Sequence, residues 1–125
     1  MKEQFVRTGM LVGEGGVDAL ASASVIVFGI GGVGSYVTEG LARAGVGRIT
    51  LVDKDTIDIS NINRQLPALH STVGRPKAQV MAERVADINP DCRIEAVQCF
   101  FLPDTADDFD FSTYDYVVDA IDNVT

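Results

Sequence analysis

Cysteine is scarce in this 125-residue chain, which has only Cys92 and Cys99. Two thiols make neither a disulfide framework nor a metal-binding set. A reducing, cytoplasmic setting is therefore the default expectation. No apolar run approaches the ~20 residues that a membrane-spanning helix needs. The N-terminus, Met1-Lys2-Glu3-Gln4, has no apolar stretch behind its lysine and does not read as a secretory signal. Repeats, low-complexity tracts and linkers are missing too, which leaves one domain with one core. Basic residues are absent between Asp104 and Asp122, a stretch with seven carboxylates. It reads as a solvated loop and helix face.

Charge is uneven along the chain. The formal total is −8, yet seven of the ten Lys and Arg residues lie from Arg43 to Arg84. A uniformly acidic protein repels nucleic acid, whereas a local basic strip can hold phosphates.

Helical and strand patterns alternate, which predicts an α/β domain. One or two short helices are expected over residues 8–21. Ser24 to Phe28 is a short apolar run ending at Gly29 and predicts a buried parallel strand. A helix follows, with Val33, Val37, Leu41 and Ala44 on one face and Gly45 and Gly47 at its end. A second strand is expected from Arg48 to Asp53. Residues 54–74 are polar and carry no strong period, and long structureless loops in compact domains are usually functional. A helix from Pro76 to Ile88 places Ala78, Met81, Val85 and Ile88 at helical spacing, with Pro76 in its first turn. Asn89-Pro90-Asp91 ends it. Strands are then expected from Arg93 to Gln98 and from Tyr116 to Ile121. A buried parallel strand normally leads into another crossover helix. The expectation is a mostly parallel, Rossmann-like sheet with helices on both faces, spanning 1–125 as the N-terminal part of a larger fold.

Gly29-Ile30-Gly31-Gly32-Val33-Gly34 follows a strand and opens a helix, the context a dinucleotide fingerprint requires. Glycine lets the main chain turn tightly and approach a phosphate, and the helix N-terminus offers free N–H donors. Asp53 stands at the end of the next strand, where a carboxylate can accept from both ribose hydroxyls. These features predict an adenosine nucleotide without choosing among NAD, FAD, SAM and ATP. A second glycine-rich stretch, Gly13 to Gly16, follows no strand and reads as a turn between helices.

The mid-chain segment narrows the choice. It carries Ser60-Asn61-Ile62-Asn63-Arg64-Gln65 and then Gly74-Arg75-Pro76-Lys77. A triphosphate brings about four negative charges that must be countered before a nucleophile approaches. Arg64 can fork onto phosphate oxygens, Lys77 can act as a point charge, and Asn61 can donate to a phosphate or orient a neighbour. Asp119-Ala120-Ile121-Asp122-Asn123 lies at a strand's carboxyl end, where open parallel sheets have their ligand crevice. Asp122 suits Mg²⁺, a hard cation that takes carboxylate and phosphate oxygen. Singly, Arg64 and Lys77 also suit a solvated surface, Asn61 a turn and Asp122 a helix cap. Their order after a glycine loop favours a phosphate site.

Together, the glycine loop, Asp53, Asn61-x-x-Arg64-Gln65, Arg75-Pro76-Lys77 and Asp122-Asn123 resemble the ubiquitin-activating (adenylyltransferase) superfamily over nearly the whole chain. Phe5-Val6-Arg7-Thr8, Phe28 to Ser35, Asn61 to Gln65, Val80 to Arg84 and Ile88 to Cys92 look most like its tRNA threonylcarbamoyladenosine dehydratase branch. The resemblance implies that Gly32, Asp53, Asn61, Arg64, Lys77, Asp122 and Asn123 contact ATP or its Mg²⁺. It implies a homodimer in which Arg7 reaches the partner's nucleotide phosphates; read alone, Arg7 is an exposed cation near a terminus. Ser60, Lys54, Asp55 and Asp58 neighbour the site without an assigned task. The superfamily's catalytic cysteine would lie beyond Thr125, which leaves Cys92 and Cys99 as structural thiols.

The implied chemistry is adenylation of a carboxylate by ATP, which needs charge neutralisation and alignment more than acid–base catalysis. In the dehydratase branch the carboxylate belongs to a threonylcarbamoyl group on a tRNA adenosine, and ring closure follows with net loss of water. In the sulfur-carrier branch it is the C-terminus of a ubiquitin-like protein. An NAD-binding oxidoreductase domain and a non-catalytic nucleotide-binding module are the alternatives from other classes. Arg64, Lys77 and Asp122 speak against NAD.

Overall fold

The computed structural model describes residues 2–99 and 109–121. Four strands, β1 (Ser24–Phe28), β2 (Arg48–Val52), β3 (Arg93–Val97) and β4 (Tyr116–Asp119), form one sheet in the order β3-β2-β1-β4. Every neighbouring pair is parallel, and Ile26 stands between Thr50 and Val117 in the register. The strand order reverses direction at β1, so the carboxyl ends of β1 and β4 flank a topological switch point.

The runs in β1 and β2 are apolar because both faces of these central strands are covered. On one face Val25, Val27, Ile49 and Leu51 pack against α2 (Gly32–Ala44) and α3 (Lys77–Ile88) through Ala42, Ala78, Met81 and Val85. Each such buried aliphatic contributes about 1.5–3 kcal/mol relative to exposure. On the other face Ile26, Phe28 and Val52 are covered by Val97, Cys99, Phe109 and Tyr114. The Phe28 and Phe109 rings meet edge to face with centroids 5.4 Å apart, a favoured aromatic geometry.

The buried stripe of α2 differs from the expected one. It is Gly34, Ser35, Thr38 and Ala42, while Val33 is exposed. Small side chains bring this helix close to the sheet, and Val33 falls in the first turn, away from it. The helices are joined by Glu39 of α2, which accepts two bonds from Arg84 of α3, at 2.6 and 2.9 Å. Arg43 adds a third at 3.0 Å. The α3 stripe is as expected, and Pro76 stands just before the helix in extended backbone.

An N-terminal helix, α1 (Val6–Ser22), is broken at Gly13, whose backbone is not helical. The second glycine-rich stretch is thus a break between two helical pieces. The segment leading into α1 is held at the amino ends of the strands. Gln4 donates to the Ile88 carbonyl at 3.1 Å, Lys2 pairs with Asp91, and Phe5 is buried. Among the described residues no helix is long and apolar enough to cross a membrane.

The segment between β2 and α3 is ordered by its own small core, in which Ile57, Ala68 and Val80 are buried with Ile62 against them. Two 3-10 turns, Ile59–Asn61 and His70–Thr72, and a bridge from Thr56 to Pro76 shape it. It therefore presents its polar residues from fixed positions.

Candidate functional site

The glycine loop sits where the carboxyl ends of β1, β2 and β4 converge. The Gly29 amide donates to the Val52 carbonyl at 2.9 Å, and the Ala120 amide donates to the Phe28 carbonyl at 2.8 Å. Gly29 has φ +91°, and a Cβ there would stand 2.7 Å from the Ala120 carbonyl oxygen. A Cβ on Gly34 would stand 1.7 Å from the Gly29 carbonyl oxygen. Only glycine fits at either position.

The loop delivers the N-terminus of α2. Its N-cap is Gly31, without a side-chain cap, and the first amide to bond back to it is that of Ser35. The amides of Gly32, Val33 and Gly34 thus have no partner within the helix, the ordinary state of a first helical turn. With the helix dipole they form an anion-binding end.

Asp53 closes the side of this loop. One carboxylate oxygen accepts the Ile30 amide at 2.6 Å and the other accepts the Asp55 amide at 2.7 Å. The Asp55 carbonyl in turn accepts the Lys77 amide at 3.0 Å. This chain of hydrogen bonds fixes the start of α3 relative to the glycine loop. Each Asp53 oxygen keeps a second lone pair for a ligand hydroxyl. The sequence points to the ligand-facing role of Asp53 and gives no sign of its loop-bracing one.

Lys77 is 7% exposed, and among the described residues it makes no ion pair. Lysine is rarely buried without a partner. Asn61 is also buried, and its side-chain oxygen accepts the Asp58 amide at 2.8 Å. Its NH₂, without a hydrogen bond among the described residues, is the end left to donate. Asp58 accepts from the Ser60 hydroxyl and amide, and these bonds hold its carboxyl below the usual carboxylate range; the nearby Lys77 charge adds a smaller push. Ser60 thus has a local capping task.

Arg64 is exposed, and its stem lies beside the loop, with Cγ 3.9 Å from where a Cβ on Gly32 would be. Its guanidinium donates to the Ser60 carbonyl and the Asn63 side chain, at 3.2 and 2.8 Å. Gln65, which the motif contains but spacing assigns no role, is buried next to Gly31. The first turn of α2 grips this segment through Ser35, whose hydroxyl accepts the Leu66 amide at 3.3 Å.

The structure therefore brings together the glycine loop, Asp53, Arg64, Gln65 and the start of α3 with Lys77. It does not bring Arg7 to them: Arg7 is exposed two residues after Phe5, in the part of the chain anchored at the amino ends of the strands. Asp122 and Asn123 lie outside the described residues. Cys92 is buried, and burial pushes its thiol up from the usual value, which suits a structural thiol. Among the described residues no three His, Cys, Asp or Glu side chains converge on a metal position.

Comparison with known proteins matches residues 5–125 to a family model described as the ThiF family. The tRNA threonylcarbamoyladenosine dehydratase of Bacillus subtilis (strain 168) is 50% identical over 124 residues, covering 99% of this chain and 49% of the relative. The sulfur carrier protein adenylyltransferase of Thermus thermophilus is 41% identical over 112 residues, covering 90% of this chain and 41% of that protein. A crystal structure of the E. coli tRNA N6-threonylcarbamoyladenosine dehydratase in complex with ATP superposes with a TM-score of 0.92 at 47% identity, covering 98% of this chain and 50% of that one. The chain spans about half the length of the curated relatives it matches.

Proposed function

The chain belongs to the ThiF family, and from that premise we propose that it is the ATP-binding part of an enzyme that adenylates a carboxylate. The carboxylate is that of a threonylcarbamoyl group on a tRNA adenosine. Its activation leads to ring closure with net loss of water. The observation that carries the phosphate reading is Lys77, a buried side chain with no ion pair among the described residues, Asp58 acting on it only from longer range. An anionic ligand supplies the missing partner.

ATP brings the capacity to turn a carboxylate oxygen into a good leaving group. The protein's part is to bind, align and neutralise. Asp53 accepts from the ribose hydroxyls. The free amides of Gly32, Val33 and Gly34 take the phosphate next to the ribose. Arg64, Lys77 and the Asn61 NH₂ counter the outer phosphates. Asp122 would hold Mg²⁺, which would add positive charge against the phosphates, and Asn123 would contact ATP or its Mg²⁺. In a homodimer, Arg7 of one copy reaches the phosphates of the other. The enzyme acts in the cytoplasm, where its tRNA substrate is.

The test is pyrophosphate exchange and AMP release by the full-length protein with tRNA carrying the threonylcarbamoyl group. Turnover only in its presence is expected. Turnover driven by a ubiquitin-like carrier protein in its place would favour the second reading, sulfur-carrier adenylation, which the Thermus relative supports. Tight NAD binding without ATP binding would overturn both.

A further inference from the structure

Gln65 is 7% exposed, and its carboxamide oxygen is buried without a hydrogen-bond partner. Among the described residues its amide nitrogen makes no hydrogen bond either. That nitrogen lies 3.5 Å from where a Cβ on Gly31 would be, so the carboxamide sits against the N-cap of α2. Its backbone is fixed on both sides. The Gln65 amide donates to the Asn61 carbonyl at 3.0 Å, and the Gln65 carbonyl accepts from Ala68 at 3.0 Å. The next amide is held by Ser35. The side chain is thus rooted in this position by its main chain rather than by bonds of its own.

Burying a polar group without a partner is unfavourable, and native proteins leave few such groups. Here the carboxamide's NH₂ end, itself without a hydrogen bond among the described residues, stands beside the α2 N-terminus.

We infer that Gln65 positions the nucleotide's first phosphate, its NH₂ donating to an oxygen of the group seated on the α2 N-terminus. This rests on the nucleotide reading above. With the ribose at Asp53, the phosphate adjoining it is the α-phosphate, the atom at which a carboxylate would attack. The NH₂ already lies on the Gly31 side, and a phosphate oxygen, which accepts, engages that end. A neutral donor suits this depth. It can stay buried without a ligand far more readily than a charged group, and it adds direction where Arg64 and Lys77 add charge.

The test uses the full-length protein and its Gln65→Met and Gln65→Glu variants. Methionine keeps the length and apolar volume and removes the donor. Dissociation constants for adenosine, AMP and ATP are measured by calorimetry, with thermal unfolding alongside. For Gln65→Met, adenosine affinity is unchanged, AMP and ATP bind about tenfold more weakly, and the unfolding midpoint holds or rises. For Gln65→Glu the AMP loss is larger at neutral pH and shrinks as the pH falls, because a protonated carboxyl donates again. AMP affinity in Gln65→Met within about twofold of the unmodified protein would overturn the proposal. So would equal losses for adenosine and AMP, which would make Gln65 a packing residue. If the unmodified protein binds neither AMP nor ATP, the nucleotide reading itself falls; if it binds both and only the variants behave alike, this inference alone does.

Discussion

Asp53, the residue after β2, accepts the Ile30 amide at 2.6 Å, so a carboxylate leaving one strand braces the loop that leaves its neighbour. The same side chain thereby has two tasks that a single substitution separates badly. Asp53→Ala is expected to weaken ATP and adenosine binding to a similar degree, since both carry the ribose. It is also expected to lower stability by about 1–3 kcal/mol, because the Ile30 amide loses its partner. Calorimetric titration and urea unfolding read the two effects. An unchanged dissociation constant for ATP would end the ribose assignment.

Arg64→Ala and Lys77→Ala should spare adenosine binding and damage pyrophosphate exchange. For Lys77 a second effect follows from its burial. Lys77→Met, which removes an unpaired buried charge and keeps the stem, should leave the unliganded protein equally or more stable. Loss of stability in Lys77→Met without ligand, together with equal losses for ATP and adenosine, would show the ammonium to be structural.

Glu39 ties α2 to α3, and the Arg84 bonds hold its carboxyl below its usual value of 4.5, with Arg43 assisting. A lowered pKa means that the folded state favours the ionised form. The stabilisation is present above about pH 4.5 and is lost as pH falls through the lower folded value. A double-mutant cycle of Glu39→Gln with Arg84→Met should give a coupling of about 0.5–1 kcal/mol at pH 7 that declines as the pH falls through the lowered folded value. A coupling independent of pH would contradict this pairing.

Cys92 is buried and its thiol pushed up by burial. Its alkylation at neutral pH should be much slower than that of an unstructured thiol and should become fast on unfolding. Mass spectrometry of the native protein reads this directly. Labelling of Cys92 at the rate of a free thiol would contradict its packing.

Strands β1, β2 and β4 were legible because each holds a short apolar run, and α3 because its apolar residues keep helical spacing. The stripe on α2 was misread for a physical reason. Gly34, Ser35, Thr38 and Ala42 are buried by closeness rather than by hydrophobicity, and periodicity of large apolar residues does not register them. The nucleotide loop and Asp53 follow from local order in the chain. The bracing by Asp53, the grip of Ser35 on Leu66 and the orphaned carboxamide of Gln65 do not, because each depends on two segments meeting in space. Arg7 shows the converse limit. Resemblance alone gives it a task, and that task lies at the partner's nucleotide rather than at the site of its own copy.

The clearance at Gly34, where even a methyl group would collide with the Gly29 carbonyl, makes one wall of the crevice an anvil. Affinity for different guests is then tuned from facing segments such as the stretch from Asp53 to Lys77. Diversification of ligand preference among proteins built this way should accumulate there, while the anvil stays monotonous.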